Sequence, residues 1–174
     1  MTKDKRKSNI ADDLFGTEPS KSIHQLRKGN LNERKVAKKF QKWVGAEFAR
    51  VPRSGGLRWK NKADVSGDVM CTDPKVNFPF VVETKHYKKL NFKFRKNNII
   101  FTFWKQVERD ANNVNKIPLL VLKSNYMKDW VVITYEPKKD ELPNPVFRGK
   151  GLVGWYFNDL INVDYKKFVS CLIK

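Results

Sequence analysis

The chain has 174 residues, is 40% hydrophobic and carries a formal net charge of +18. That length suits one domain with a tail, and the apolar fraction is enough for a core. So large a cationic excess calls for a polyanionic partner, nucleic acid first and an anionic membrane surface second.

Residues 1–22 are polar, charged and aperiodic, and are expected to form a flexible basic tail ahead of a single domain over 23–174. Their opening, "MTKDKRKSNIADD", lacks the apolar stretch of a secretory signal. No later run approaches the roughly 20 apolar residues of a membrane span, so no membrane partner is expected. "NLNERKVAKKFQKWVG" predicts a helix, capped by Asn30 or Asn32 and ended by Gly45. Its inner face is Val36, Ala37, Phe40 and Val44. Arg34, Lys35, Lys38, Lys39 and Lys42 look outward. Helical spacing also places Glu33 on the inner face, where a carboxylate needs a partner.

"EFARVPR" reads as a first strand, broken by "SGG" and followed by the basic, aromatic loop "LRWKNKAD". Strands around Val69 and Val81 follow, joined by the turn chemistry of "DPKVN". Cys71, in the first of them, stands 100 residues from Cys171. That spacing suits neither a zinc site nor a disulfide scaffold, and it fits a reducing cytoplasm rather than secretion. "HYKKLNFKFRKNN" is a cationic loop. "IIFTFWKQVERDANNVNK" is a second amphipathic helix with Phe103, Trp104, Val107, Ala111 and Val114 inside. "IPLLVLK" and "DWVVITY" are further strands, and "KKDELPNPVFRGKG" reads as a connection. The last stretch, "LVGWYFNDLINVDYKKFVSCLIK", is ambiguous between strand and helix. The order α-β-β-β-α-β-β predicts a mixed α/β domain around one central sheet.

The second strand of the hairpin begins apolar and ends in Glu83 and Lys85. Alternation puts Val81, Glu83 and Lys85 on one face. Asp68, fifteen residues before Glu83, falls within about one position of facing it, at about 5–8 Å. Two carboxylates so close repel unless a positive charge joins them. Lys85 supplies one, and a divalent cation with a preference for hard oxygen ligands, Mg²⁺, supplies more. Asp64, in "ADVSGDV", is a rival for the Asp68 position. His86 points away from this face.

"GDV" and "FVVETK" together resemble the PD-(D/E)xK nuclease motif, with Asp68, Glu83 and Lys85 in its three places and Gly67 where the family has its leading proline. The resemblance runs over about Leu31 to Thr134. "RVPRSGG" resembles the strand and Ser/Gly loop of archaeal-type Holliday junction resolvases, and "FWKQVERDA" resembles the helix after the motif strand. It implies a restriction-endonuclease-like fold, a central mixed β-sheet flanked by helices. It also implies metal-dependent hydrolysis of DNA phosphodiester bonds with Mg²⁺, or Mn²⁺ as substitute. Asp68, Glu83 and Glu33 would hold the metal, with Lys85 catalytic beside them and Gln106 as an auxiliary. Arg53, Ser54, Arg58, Lys60, Lys88, Lys89, Lys93 and Arg95 flank the motif and are the expected DNA contacts. The implied substrate is branched or four-way junction DNA in a bacterial or phage-infected cytoplasm. Symmetric cutting needs a homodimer. Trp155, Tyr156, Phe157 and Leu160 are its candidate surface, with packing on their own sheet as the alternative. Two other readings stand beside this one: a nuclease or nickase of plain duplex, and a DNA-binding module that does not cut. The intact Asp68, Glu83 and Lys85 set argues against the second.

Overall fold

The computed structural model describes residues 23–51, 66–90, 99–138 and 141–173. A long helix α1 (Ile23–Val44) leads into β1 (Phe48–Arg50), β2 (Val69–Cys71) and β3 (Phe80–Tyr87). Helix α2 (Ile99–Asn112) connects to β4 (Ile117–Ser124) and β5 (Val131–Tyr135). The hairpin β6 (Phe147–Gly149) and β7 (Leu152–Tyr156) follows, then α3 (Phe157–Ile161) and α4 (Tyr165–Leu172). The strands form one sheet in the order β1-β2-β3-β4-β5-β7-β6. Among the described residues β3 and β4 are the parallel pair, and the other neighbours are antiparallel. Parallel neighbours need a crossover, and α2 lies between β3 and β4 in the chain.

Alternation along the strands sorts the core into two layers. Phe80, Val82, Leu119, Val121, Val132, Val153 and Trp155 join the layer under α1, α3 and α4. Val81, Leu120, Leu122, Val131, Ile133 and Leu152 join the layer under α2 with Ile100, Phe103, Trp104, Val107 and Ala111. Phe40 anchors the first layer. Its ring centroid lies 4.9 Å from Phe157, 5.5 Å from Phe48 and 5.6 Å from Phe78. Trimming so enclosed an aromatic ring to alanine costs about 3–5 kcal/mol.

Helix α1 begins seven residues before the predicted cap, so Asn30 and Asn32 lie inside it. Their side chains serve tertiary contacts instead. Asn32 Oδ1 accepts from Trp130 Nε1 at 2.9 Å, and Asn30 Oδ1 accepts from Arg50 at 3.0 Å. Gly45 ends the helix as expected, with φ +73°. Lys39, expected to face solvent, turns inward to Asp129, 3.2 Å away. The turn after β2 is built on Asp73, whose side chain accepts from Lys75 N at 2.9 Å. The expected connection before β7 contains a strand of its own, β6. Lys150 (φ 55°) and Gly151 (φ 74°) close it onto β7 with the paired left-handed residues of a tight hairpin.

The ambiguous C-terminal stretch is a strand followed by two helices, and it is core rather than docking surface. Trp155, Phe157 and Leu160 are at most 1% exposed, Tyr156 is partly buried, and Trp155 Nε1 donates to Pro143 O at 2.7 Å. Trp155, Phe157 and Leu160 fill the layer under α1, so they are not available to a second subunit.

Candidate active site

The site is assembled where β2 begins and β3 ends. Gly67 opens it with φ +88°, and a Cβ there would meet Val82 O at 2.5 Å. Only glycine fits so close a backbone approach at positive φ. Proline, fixed near −65°, cannot take this conformation, which accounts for the residue found where the resemblance implies a proline. The next residue is clamped by its backbone: Asp68 N donates to Val82 O at 2.7 Å, and Val51 N donates to Asp68 O at 2.9 Å.

Val69 pairs with Val82. One residue outward on each strand come Asp68 and Glu83, 1% and 2% exposed. The expected register is therefore met. Asp68 Oδ2 accepts from Thr84 N at 2.8 Å and from Thr84 Oγ1 at 3.3 Å. The Asp68 side chain thus takes a strand-edge donor of β3. Glu83 alternates with Val82 onto the α2 face, as Lys85 does. Glu83 Oε1 accepts from Lys85 Nζ at 2.5 Å and from Gln106 Nε2 of α2 at 3.0 Å. The Lys85 ammonium also lies 5.5 Å from the centre of the Phe103 ring. Burying two carboxylates at one end of a hairpin is costly unless charge and hydrogen bonds compensate. Thr84, Lys85 and Gln106 provide that compensation. Thr84 was not singled out in the sequence, because its part depends on where β2 stops.

Glu33 is also buried, at 5% exposure, but it pairs with a cation of β1: Arg50 Nε lies 3.0 Å from Glu33 Oε2. Among the described residues no three His, Cys, Asp or Glu side chains stand together as a metal-binding group. The structure therefore brings Asp68, Glu83, Lys85 and Gln106 together and ties Glu33 into the seam between α1 and β1.

Lys88 and Lys89 are exposed just past β3. Arg53, Ser54, Arg58, Lys60, Lys93, Arg95 and the rival Asp64 lie outside the described residues. His86 points to the opposite face from Lys85, as alternation predicts, and its Nε2 lies 3.0 Å from Asn125 Oδ1. Burial, then the nearby Lys28, holds its pKa below the ordinary imidazole value. Lys123 and Lys35 act in the same direction, and the Asn125 hydrogen bond opposes them.

Residues 24–149, most of the chain and the whole of the site, match the family described as "Phage putative PDDEXK endonuclease". The chain belongs to this family of phage PD-(D/E)xK endonucleases. Its seven-strand mixed sheet flanked by helices is the restriction-endonuclease-like fold. No curated protein and no solved structure matched the chain. Among the described residues of this endonuclease, no helix is long and apolar enough to cross a membrane.

Proposed function

We propose that this phage endonuclease is a metal-dependent deoxyribonuclease, with Asp68 and Glu83 as metal ligands and Lys85 as the catalytic cation. One observation carries the reading: two nearly sealed carboxylates lie level with each other on adjacent strands, Asp68 just before β2 and Glu83 within β3, and Glu83 is held by a lysine two residues on. The donor set suits Mg²⁺, which takes one or two carboxylates and keeps several waters, with Mn²⁺ as substitute. When bound, the ion polarises a phosphoryl oxygen and lowers the pKa of a coordinated water.

The side chains divide the remaining work. Thr84 fixes the Asp68 carboxylate through two hydrogen bonds. Gln106 and Lys85 fix that of Glu83. Lys85 can swing its ammonium from Glu83 to the attacking water or to a phosphate oxygen, orienting the first or neutralising the second. Glu33 acts at one remove, as a positioning residue that holds Arg50 of the first strand against α1. Lys88, Lys89 and the cations of the two flanking loops attract the phosphate backbone.

For substrate we propose branched DNA, cut by a homodimer in the cytoplasm of the phage-infected cell. The resemblance of "RVPRSGG" to junction resolvases supports it. A second reading, cutting or nicking of plain duplex, is favoured by the burial of Trp155, Phe157 and Leu160, which removes the surface expected to join two subunits.

The test is incubation with four-way junction, linear duplex and single-stranded DNA in Mg²⁺, Mn²⁺ or chelator. Cleavage should need metal and should vanish in Asp68→Asn and Glu83→Gln, while both variants still bind DNA. Turnover at the wild-type rate in either variant, or in chelator, would overturn the assignment. Junction preference with a dimeric mass in sedimentation supports the first substrate. Equal cutting of duplex by a monomer supports the second.

A further inference from the structure

We infer that the α1 side of the β3–β4 end carries a second nucleic-acid site, in which Lys28, Lys35, His86 and Lys123 grip a sugar-phosphate strand and Tyr126 meets a base. The inference rests on the proposed DNA nuclease reading for the identity of the polyanion. Its own basis lies on the face of the sheet opposite Glu83 and Lys85.

Two elements contribute cations there, and a third contributes the imidazole they surround. Lys28 of α1 donates to Asn125 Oδ1 at 3.3 Å, and the same oxygen lies 3.0 Å from His86 Nε2 of β3. Lys123 of β4 is held in place by donating to Met127 O at 2.6 Å and by lying 5.0 Å over the Trp130 ring. Lys35 stands two helical turns from Lys28 on α1. All three lysines depress the pKa of His86, so their charges converge on the imidazole. No carboxylate among the described residues pairs with Lys28, Lys35 or Lys123. Two buried acids of α1 and the loop before β5 are engaged elsewhere: Glu33 by Arg50, and Asp129 by Lys39. A group of ammoniums fixed around an imidazole repels itself, and a bound polyanion relieves that repulsion.

The site is also well placed. The loop after β4 is fastened to the end of β3, where Asn125 N donates to Tyr87 O at 3.2 Å and Ser124 Oγ donates to Lys88 O at 3.2 Å. Tyr126 follows in that loop and is 76% exposed, more than any other large hydrophobic residue of the described chain. An exposed ring among cations is the arrangement that stacks on nucleobases. His86 lies three residues beyond Glu83, about 10 Å along a strand at 3.3 Å per residue.

The experiment is fluorescence anisotropy of labelled duplex and single-stranded DNA in chelator, across a salt series, with cleavage measured in parallel. Lys28→Gln/Lys123→Gln should weaken binding and flatten the plot of log affinity against log salt by about one to two units. It should raise KM and leave kcat close to that of wild type. Tyr126→Ala should weaken single-stranded DNA more than duplex. Melting curves check that each variant folds, and Lys28→Gln alone serves if the double variant does not. A folded variant with wild-type affinity and slope would overturn the inference. If the wild type cuts DNA and the double variant binds like it, this site fails and the nuclease stands. If the wild type cuts nothing in either metal yet the double variant loses slope, the nuclease reading fails and this binding site stands.

Discussion

Glu83 is nearly sealed from water, and one of its oxygens serves both Lys85 and Gln106. Lys85 is less buried, and its ammonium sits between a carboxylate and the Phe103 ring. Lys85→Ala should therefore lower single-turnover cleavage at saturating metal by at least about 100-fold, the low end for losing a proton-transfer or charge-stabilising group. Full activity there would leave Lys85 as a structural ion pair. Gly67 is decided by sterics rather than charge. Gly67→Ala places a Cβ 2.5 Å from Val82 O at a φ of +88°. It should cost more than about 1 kcal/mol and displace Asp68, so denaturant melts and cleavage should fall together. A variant as stable as wild type would mean that the β2 entrance yields easily. Glu83 and Lys85 were legible from spacing because a strand has period two, and the place of Asp68 beside them from hairpin register. Gln106 was legible only as a residue near the inner stripe of α2, since its contact with Glu83 depends on how that helix packs.

At the scale of elements, α1 is seated by two ion pairs among the described residues, as well as by hydrogen bonds and its apolar face. At one, Lys39 meets Asp129, donates to Asn158 Oδ1 at 2.6 Å and lies over the rings of Trp130 and Phe157. Asp129 also accepts from Asn158 N at 2.7 Å, which ties the start of α3 to the loop before β5. Asp129→Ala leaves a largely buried ammonium without its counter-ion and should cost about 3 kcal/mol in denaturant melts. An unchanged midpoint would show that the aromatic layer alone seats α1. At the other fastening, Glu33 meets Arg50. A double-mutant cycle of Glu33→Gln and Arg50→Gln should show coupling of about 0.5–3 kcal/mol in stability. If Glu33 instead serves the metal directly, cleavage falls in Glu33→Gln and not in Arg50→Gln. Neither fastening could be read from the chain, because each joins residues brought together only when α1 lies across the sheet.

For the whole molecule the governing quantity is charge. Thirty-six Lys and Arg stand against 18 Asp and Glu, so folding compresses a strongly cationic chain. Self-repulsion opposes the compact state, and salt screens it over about 8–10 Å near physiological ionic strength. The melting temperature of this endonuclease should rise as sodium chloride is raised from about 0.02 to about 0.2 M. A flat or falling curve would mean that the charges are too far apart to matter. The same salt range should weaken DNA binding, because phosphate contacts release counter-ions. Stability and affinity are expected to move in opposite directions, which separates screening within the protein from competition with its ligand.

The sequence by itself determined the class of the domain, the three-residue motif and the sign of the partner's charge. Each of these is written in local order: a period of two along β3, a period near 3.6 along α2, and a plain count of cations. It did not determine where Asn32, Lys39 or Trp155 would end, nor that β6 would arise inside a Pro- and Gly-rich stretch. Those depended on neighbours about a hundred residues away for Asn32 and Lys39, and on the sheet itself for β6 and Trp155. Asp68 divides the two. Its level beside Glu83 follows from hairpin register, but its hold on Thr84 exists only because β2 stops short and leaves a strand-edge donor to be satisfied.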